Sequence, residues 1–165
     1  MLRIAMAPTA RCLNVRLLMD VNPLLVSVTR RFVEESLGRF IDDRDLIYRV
    51  AMAAHELLEN AAKYADDRNA DLSVSVEGGK GEGTITLRLS NQTSSGHLTR
   101  LREAFSELDG CSDPMTFYVN VMRRNARLPS ASGVGLARIL AEGEMKLGLT
   151  VSGQTATIVA QTPHR

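Results

Sequence analysis

The sequence predicts an α+β fold, a two-layer sandwich in which a mixed but mostly antiparallel sheet carries helices on one face. Three observations predict it. Stretches of period-two apolar alternation come in neighbouring pairs, as hairpin strands do. Stretches of helical period gather between those pairs. The repeated strand–helix–strand unit of a doubly wound sheet does not occur, nor does any internal repeat, so residues 1–165 read as one domain.

The elements follow in order. Leu13, Val15, Leu17 and Met19 alternate with Asn14, Arg16 and Leu18, a strand pattern. Asn22 and Pro23 form an N-cap followed by proline at the first helical position. A helix is expected from there to about Leu37, with Leu25, Val28, Phe32 and Val33 on its inner face and Gly38 ending it. Asp42 and Asp43 cap a second, longer helix, whose apolar positions are Leu46, Ile47, Val50, Ala54, Leu57, Leu58 and Ala61. Two strands follow, one through Leu72, Val74 and Val76, the other through Ile85, Leu87 and Leu89. The connection GGKGEG between them fits an exposed hairpin turn. It is no phosphate loop, because neither Gly-Lys-Ser/Thr nor a helix follows it. Residues from about Gly96 to Leu128 read as two helices, broken near Asp109 and Gly110 and restarted at Asp113 and Pro114. After Pro129 the small-residue stretch SASGVGLARIL opens a short helix. Strands through Leu147, Leu149 and Val151, and through Thr155, Thr157 and Val159, meet across Gly153.

Composition narrows the class of function. A net charge of +1 offers no bulk electrostatic attraction for a polyanion, so no nucleic-acid partner is expected. Cys12 and Cys111 stand alone, without the spacing of a disulfide framework or a zinc site, as in a reducing compartment. No apolar run reaches membrane-spanning length, and no membrane is expected. The opening MLRIAMAPTA faintly resembles a signal peptide, but Pro8 and Thr9 break its apolar run and a strand follows at once. The expected location is the cytoplasm.

One stretch carries chemistry. In HELLENAAKYA, Glu56, Asn60 and Lys63 are spaced i, i+4, i+7, which stacks them on one helix face. Exposed ion pairs among Glu56, Glu59 and Lys63 would be the bland account. Against it, Asn60 is set among Leu57, Leu58, Ala61 and Ala62, a poor setting for a solvated amide. An asparagine carbonyl suits Mg²⁺ bound together with phosphate oxygens, and a glutamate one turn earlier suits activation of a hydroxyl or water. A lysine one turn later suits a phosphate as a point charge. Gly133 and Gly135, directly before a helix, let backbone N–H groups approach an anion, although taken alone they read rather as a tight turn that launches the helix.

Taken together, E-x-x-x-N-A-x-K-Y on a long helix resembles the N-box of the GHKL (Bergerat-fold) ATPases, and S-G-V-G-L-A-R-I resembles their second glycine motif. The resemblance runs from Arg11 to about Gln161, and the single short domain is most similar to the stand-alone anti-sigma-factor serine/threonine kinases of bacterial partner-switching systems. It implies the histidine-kinase-like ATPase fold, ATP and Mg²⁺ as ligands, and a lid over about 96–132. By residue, it implies Asn60 as the Mg²⁺ ligand, Glu56 as catalytic base or water positioner, and Lys63 near the phosphates. Gly133, Gly135 and Leu136 would wrap the triphosphate. It further implies a small antagonist-type protein that is bound and phosphorylated, a sigma factor as a second partner, and a homodimer.

The family's first glycine motif, D-x-G-x-G, is missing. Asn91 stands in the likely place of its aspartate, in the run LSNQTSSG, and an amide oxygen is a weaker acceptor for an adenine amino group than a carboxylate. Base recognition is thereby left open between altered, weakened and lost. The loss supports an alternative function, an inactive GHKL-like interaction module with Met115, Phe117, Tyr118, Val121 and Met122 facing a partner rather than packing a lid helix on the core. The catalytic half of a split histidine kinase fits less well, because no phosphoacceptor helix is present. His55 reads as a packed or rim residue, and His97 and His164 as surface residues. Arg123, Arg124 and Arg127 read as a solvated helix face, with a reach to a γ-phosphate as the sharper alternative.

Overall fold

The computed structural model describes residues 13–79, 82–127 and 133–164. Along them run β1 (Leu13–Asp20), α1 (Pro23–Leu37), α2 (Arg44–Tyr64), β2 (Asn69–Gly79) and β3 (Glu82–Gln92). Then come α3 (Ser95–Asp109), α4 (Pro114–Arg127), α5 (Val134–Ala141), β4 (Lys146–Ser152) and β5 (Thr155–His164). The opening MLRIAMAPTA, Cys12, the turn at Lys80 and Gly81, and the stretch from Leu128 to Ser132 lie outside the described residues.

The caps form as their chemistry requires. Asn22 Oδ1 accepts from the N–H of Leu25 at 3.1 Å, Asp43 Oδ1 from Leu46 at 3.0 Å, and Asp113 Oδ2 from Thr116 at 2.9 Å. The strands order as β1-β2-β3-β5-β4, each neighbouring pair antiparallel, which is the limiting case of the mostly antiparallel sheet expected. Leu72, Leu89 and Ile158 lie side by side across the register of β2, β3 and β5, all on the helix side of the sheet. With Leu57 and Leu58 of α2 and Val33 and Leu37 of α1 they form the main core.

Two faces differ from expectation by one residue. On α1 the buried positions are Val26, Thr29, Val33 and Leu37, whereas Val28 and Phe32 are 45% and 44% exposed. Thr29 causes the shift: it is a buried polar residue, its hydroxyl 3.9 Å from the Met19 sulfur, and an apolar count skips it. On β5 the buried positions are Ala156, Ile158, Ala160 and Thr162, so Thr157 and Val159 face away from the helices. Small residues on both faces of that strand leave little contrast to fix its phase. The β2–β3 hairpin is also longer than its apolar runs, pairing as far as Gly79 and Glu82.

Candidate nucleotide site

The polar stripe of α2 lies where the helix turns away from the core. Leu57, Leu58 and Ala61 are buried, and Glu56, Asn60 and Lys63, on the adjoining face, line one cavity of about 640 Å³. Gly133, Val134 and Gly135 at the start of α5 line the same cavity, Pro23, Val26 and Ser27 of α1 form another wall, and Asn125 of α4 a fourth. Residues 70 or more positions apart in the chain therefore meet at one concave surface.

Each polar group has a defined setting. The side chain of Glu56 is only 13% exposed, and its Oε1 accepts from Arg138 Nη1 at 2.9 Å. Glu59, 60% exposed, pairs with His55 at 3.2 Å rather than with Lys63, so the ladder of exposed pairs does not form. Lys63 Nζ sits 5.1 Å from the centre of the Tyr64 ring, at cation–π distance. The Tyr64 ring also stacks on His97, with ring centroids 4.0 Å apart and planes inclined at 14°. His97 is therefore half-buried rather than a surface residue, and burial pushes its pKa below the ordinary histidine range.

The start of α5 suits an anion. Gly133 has φ of 100°, the left-handed region that favours glycine, and a Cβ there would meet nothing within 4 Å. The first turn of a helix directs N–H groups outward that no intrahelical carbonyl can take, and these lie beside the open space about Gly133. Gly135 acts in a different way. A Cβ on it would stand 2.8 Å from Glu56 Oε2, so its absence leaves that carboxylate its place against α5.

Two residues named from the sequence lie elsewhere. Leu136 is 2% exposed and packs in the core beneath the α5 turn. Asn91 borders a separate depression at the end of β3, and its Nδ2 donates to the Gln92 carbonyl at 3.1 Å. Arg123, Arg124 and Arg127 likewise line their own depression on α4, where Arg124 pairs with Glu107. In the α4 cluster Tyr118 and Val121 are buried, whereas Met115 and Met122 are 49% and 40% exposed.

The site also holds Arg138, through its pairing with Glu56, and Asn125, on the cavity wall. The signal for Arg138 was available: one charged residue in the apolar helix VGLARILA, with Glu142 four positions on. Asn125 carried no comparable signal, since α4 is polar over much of its surface.

No group of three or more His, Cys, Asp or Glu able to hold a metal ion occurs among the described residues. A cation here would take most of its ligands from a bound phosphate and water, the habit of Mg²⁺, and the single neutral carbonyl of Asn60 fits that division. No described helix is long and apolar enough to cross a membrane.

No protein-family model and no curated protein matches the chain. Among solved structures it resembles a chain of the crystal structure of the SiaB–SiaC complex from Pseudomonas aeruginosa, with a TM-score of 0.64 over 91% of this chain and 89% of that one. Only 12% of the residues are identical, so what the two share is the α+β fold.

Proposed function

We propose that this chain is a Mg-ATP-binding regulator of the GHKL type, a cytoplasmic serine/threonine protein kinase that binds and phosphorylates a small antagonist-type partner. The observation that carries the reading is the convergence of Glu56, Asn60 and Lys63 with the Gly133–Gly135 turn on one cavity, whose volume suits a nucleotide. The resemblance of the motifs adds the nucleotide class. The solved neighbour, a complex of two proteins, is in keeping with a protein partner, and the switching system is what the motif resemblance implies. A sigma factor as second partner and a homodimer belong to the same proposal.

In this reading the α5 turn and Lys63 hold the phosphates, the first through backbone N–H groups and the second as a point charge. Asn60 would hold Mg²⁺, which supplies charge neutralisation on the phosphates. Glu56 accepts the proton of the partner's hydroxyl as its oxygen bonds to the γ-phosphorus, and the bond to the β–γ bridging oxygen breaks to release ADP. Catalysis is then positioning and electrostatics.

A second reading has its own support. Asn91, in the likely place of the base-binding aspartate, lies outside the cavity, as suits a docking module that kept the fold without the chemistry. Calorimetric titration of ATP, ADP and GTP with Mg²⁺ into wild type and Asn60→Ala separates the two. Micromolar adenine-nucleotide binding that requires Mg²⁺ and disappears in the variant is expected. A folded wild-type protein that takes up no nucleotide sinks the kinase reading and leaves the docking module.

A further inference from the structure

We propose that Arg138 is a positioning residue for Glu56, held in turn by Glu142, a role that rests on reading the cavity as a nucleotide site. The guanidinium uses two edges at once. Its Nη1 donates to Glu56 Oε1 at 2.9 Å and its Nε to Glu142 Oε2 at 2.7 Å. These contacts, first that with Glu142, hold its pKa above the ordinary arginine value. Tyr118 of α4 packs against the same cluster, and burial with the Glu142 charge pushes its phenol up. One cation thereby ties α2 to α5 beneath α4.

The arrangement does two things for Glu56. A glutamate side chain has three freely rotating bonds, and a fixed donor on one oxygen removes most of that freedom. The remaining oxygen, Oε2, then lies over Gly135 at the edge of the cavity. The positive charge also offsets a carboxylate that would otherwise repel a polyphosphate arriving at the α5 turn. Lysine cannot do this, because a single ammonium lacks the fork that reaches two carboxylates from fixed directions.

Variants Arg138→Met, Arg138→Lys, Glu142→Gln, Glu56→Gln and the double variant Glu56→Gln/Arg138→Met test the role in the full chain. With Mg-ATP, Arg138→Met is expected to lower kcat tenfold or more and to raise the nucleotide Kd by a clearly smaller factor, through the uncompensated Glu56 charge. Arg138→Lys fails to rescue, Glu142→Gln gives an intermediate loss, and the double variant is no slower than Glu56→Gln alone. Wild-type kcat in Arg138→Met, or losses that multiply in the double variant, overturns the role. A second readout needs no nucleotide. In urea, the double variant should lose less midpoint than the two single variants together, and the Gly135 amide resonance should shift in Arg138→Met. If wild type binds no nucleotide, the parent reading falls and these two measurements still decide the pairing: strict additivity with an unmoved Gly135 amide refutes it.

Discussion

Gly135→Ala separates what holds the fold from what shapes the cavity. The added methyl would stand 2.8 Å from Glu56 Oε2 and 3.5 Å from Glu56 Cβ, so the carboxylate must retreat by several tenths of an ångström. That atom is the end of a flexible side chain, and its retreat strains no backbone. It does pull Oε1 off the 2.9 Å contact with Arg138, a partly exposed pair worth about 1 kcal/mol. In the other direction, replacing a helical glycine by alanine gains about 0.5–1 kcal/mol. The two nearly cancel, so the urea midpoint should move by less than the equivalent of about 1 kcal/mol. Function should move far more. The displaced carboxylate leaves the position over Gly135 that its pairing with Arg138 defines, and turnover with Mg-ATP, in the proposed reading, should fall at least tenfold. Calorimetry, a phosphoryl-transfer assay and a denaturation curve on one preparation suffice. A variant as active as wild type would refute the proposition that the Glu56–Gly135 contact shapes the site, and a collapse in stability would refute the assignment of the clash to a movable atom.

Three further outcomes follow from the geometry. Gly133→Ala forces a left-handed backbone on a residue with a Cβ but meets no neighbour, so urea denaturation should show a loss of about 1 kcal/mol from backbone strain alone. Leu87, fully buried at the centre of the sheet, should lose about 3 kcal/mol on substitution by alanine, read in the same assay. Burial holds the His97 pKa below its ordinary value of 6.5, so the fold prefers the neutral ring. The unfolded chain then takes up the proton first as pH falls through that value, and stability declines below it while remaining unaffected above. His97→Phe keeps the stack on Tyr64 and should flatten this part of the stability–pH curve; an unchanged curve would mean that the ring titrates freely.

The parts of the site legible in the sequence share one property, a residue type at odds with its surroundings. Asn60 among alanines and leucines, and two glycines at the start of an apolar helix, each contradict their neighbours, and each lies on the cavity. Arg138 contradicts its neighbours in the same way but was absorbed into a glycine motif. Asn91 was placed by order along the chain, whereas its position relative to the cavity depends on how β3 and the α2–α5 pair sit in three dimensions. The order of elements was legible because hairpin strands and capped helices are local events. The phase of α1 was not, since a buried threonine is invisible to an apolar count until the methionine it meets is known.

The cavity and the close approach of α5 to α2 have a single structural cause. α2 is anchored by Leu57, Leu58 and Ala61, none more than 1% exposed, so its polar stripe leaves from a backbone that cannot shift to suit a ligand. For α5 to present its first turn to that stripe, its axis must come near enough to touch Glu56, and the missing Cβ of Gly135 leaves the Glu56 carboxylate room there. The same approach brings the Arg138 fork within reach of the Glu56 carboxylate. A docking surface needs shape and an apolar patch; it needs neither a helix N-terminus facing a carboxamide and an ammonium nor a carboxylate fixed by a buttressed cation. That combination is what an anion with a metal between its oxygens would use, and it supports the proposed nucleotide more strongly than any single motif does.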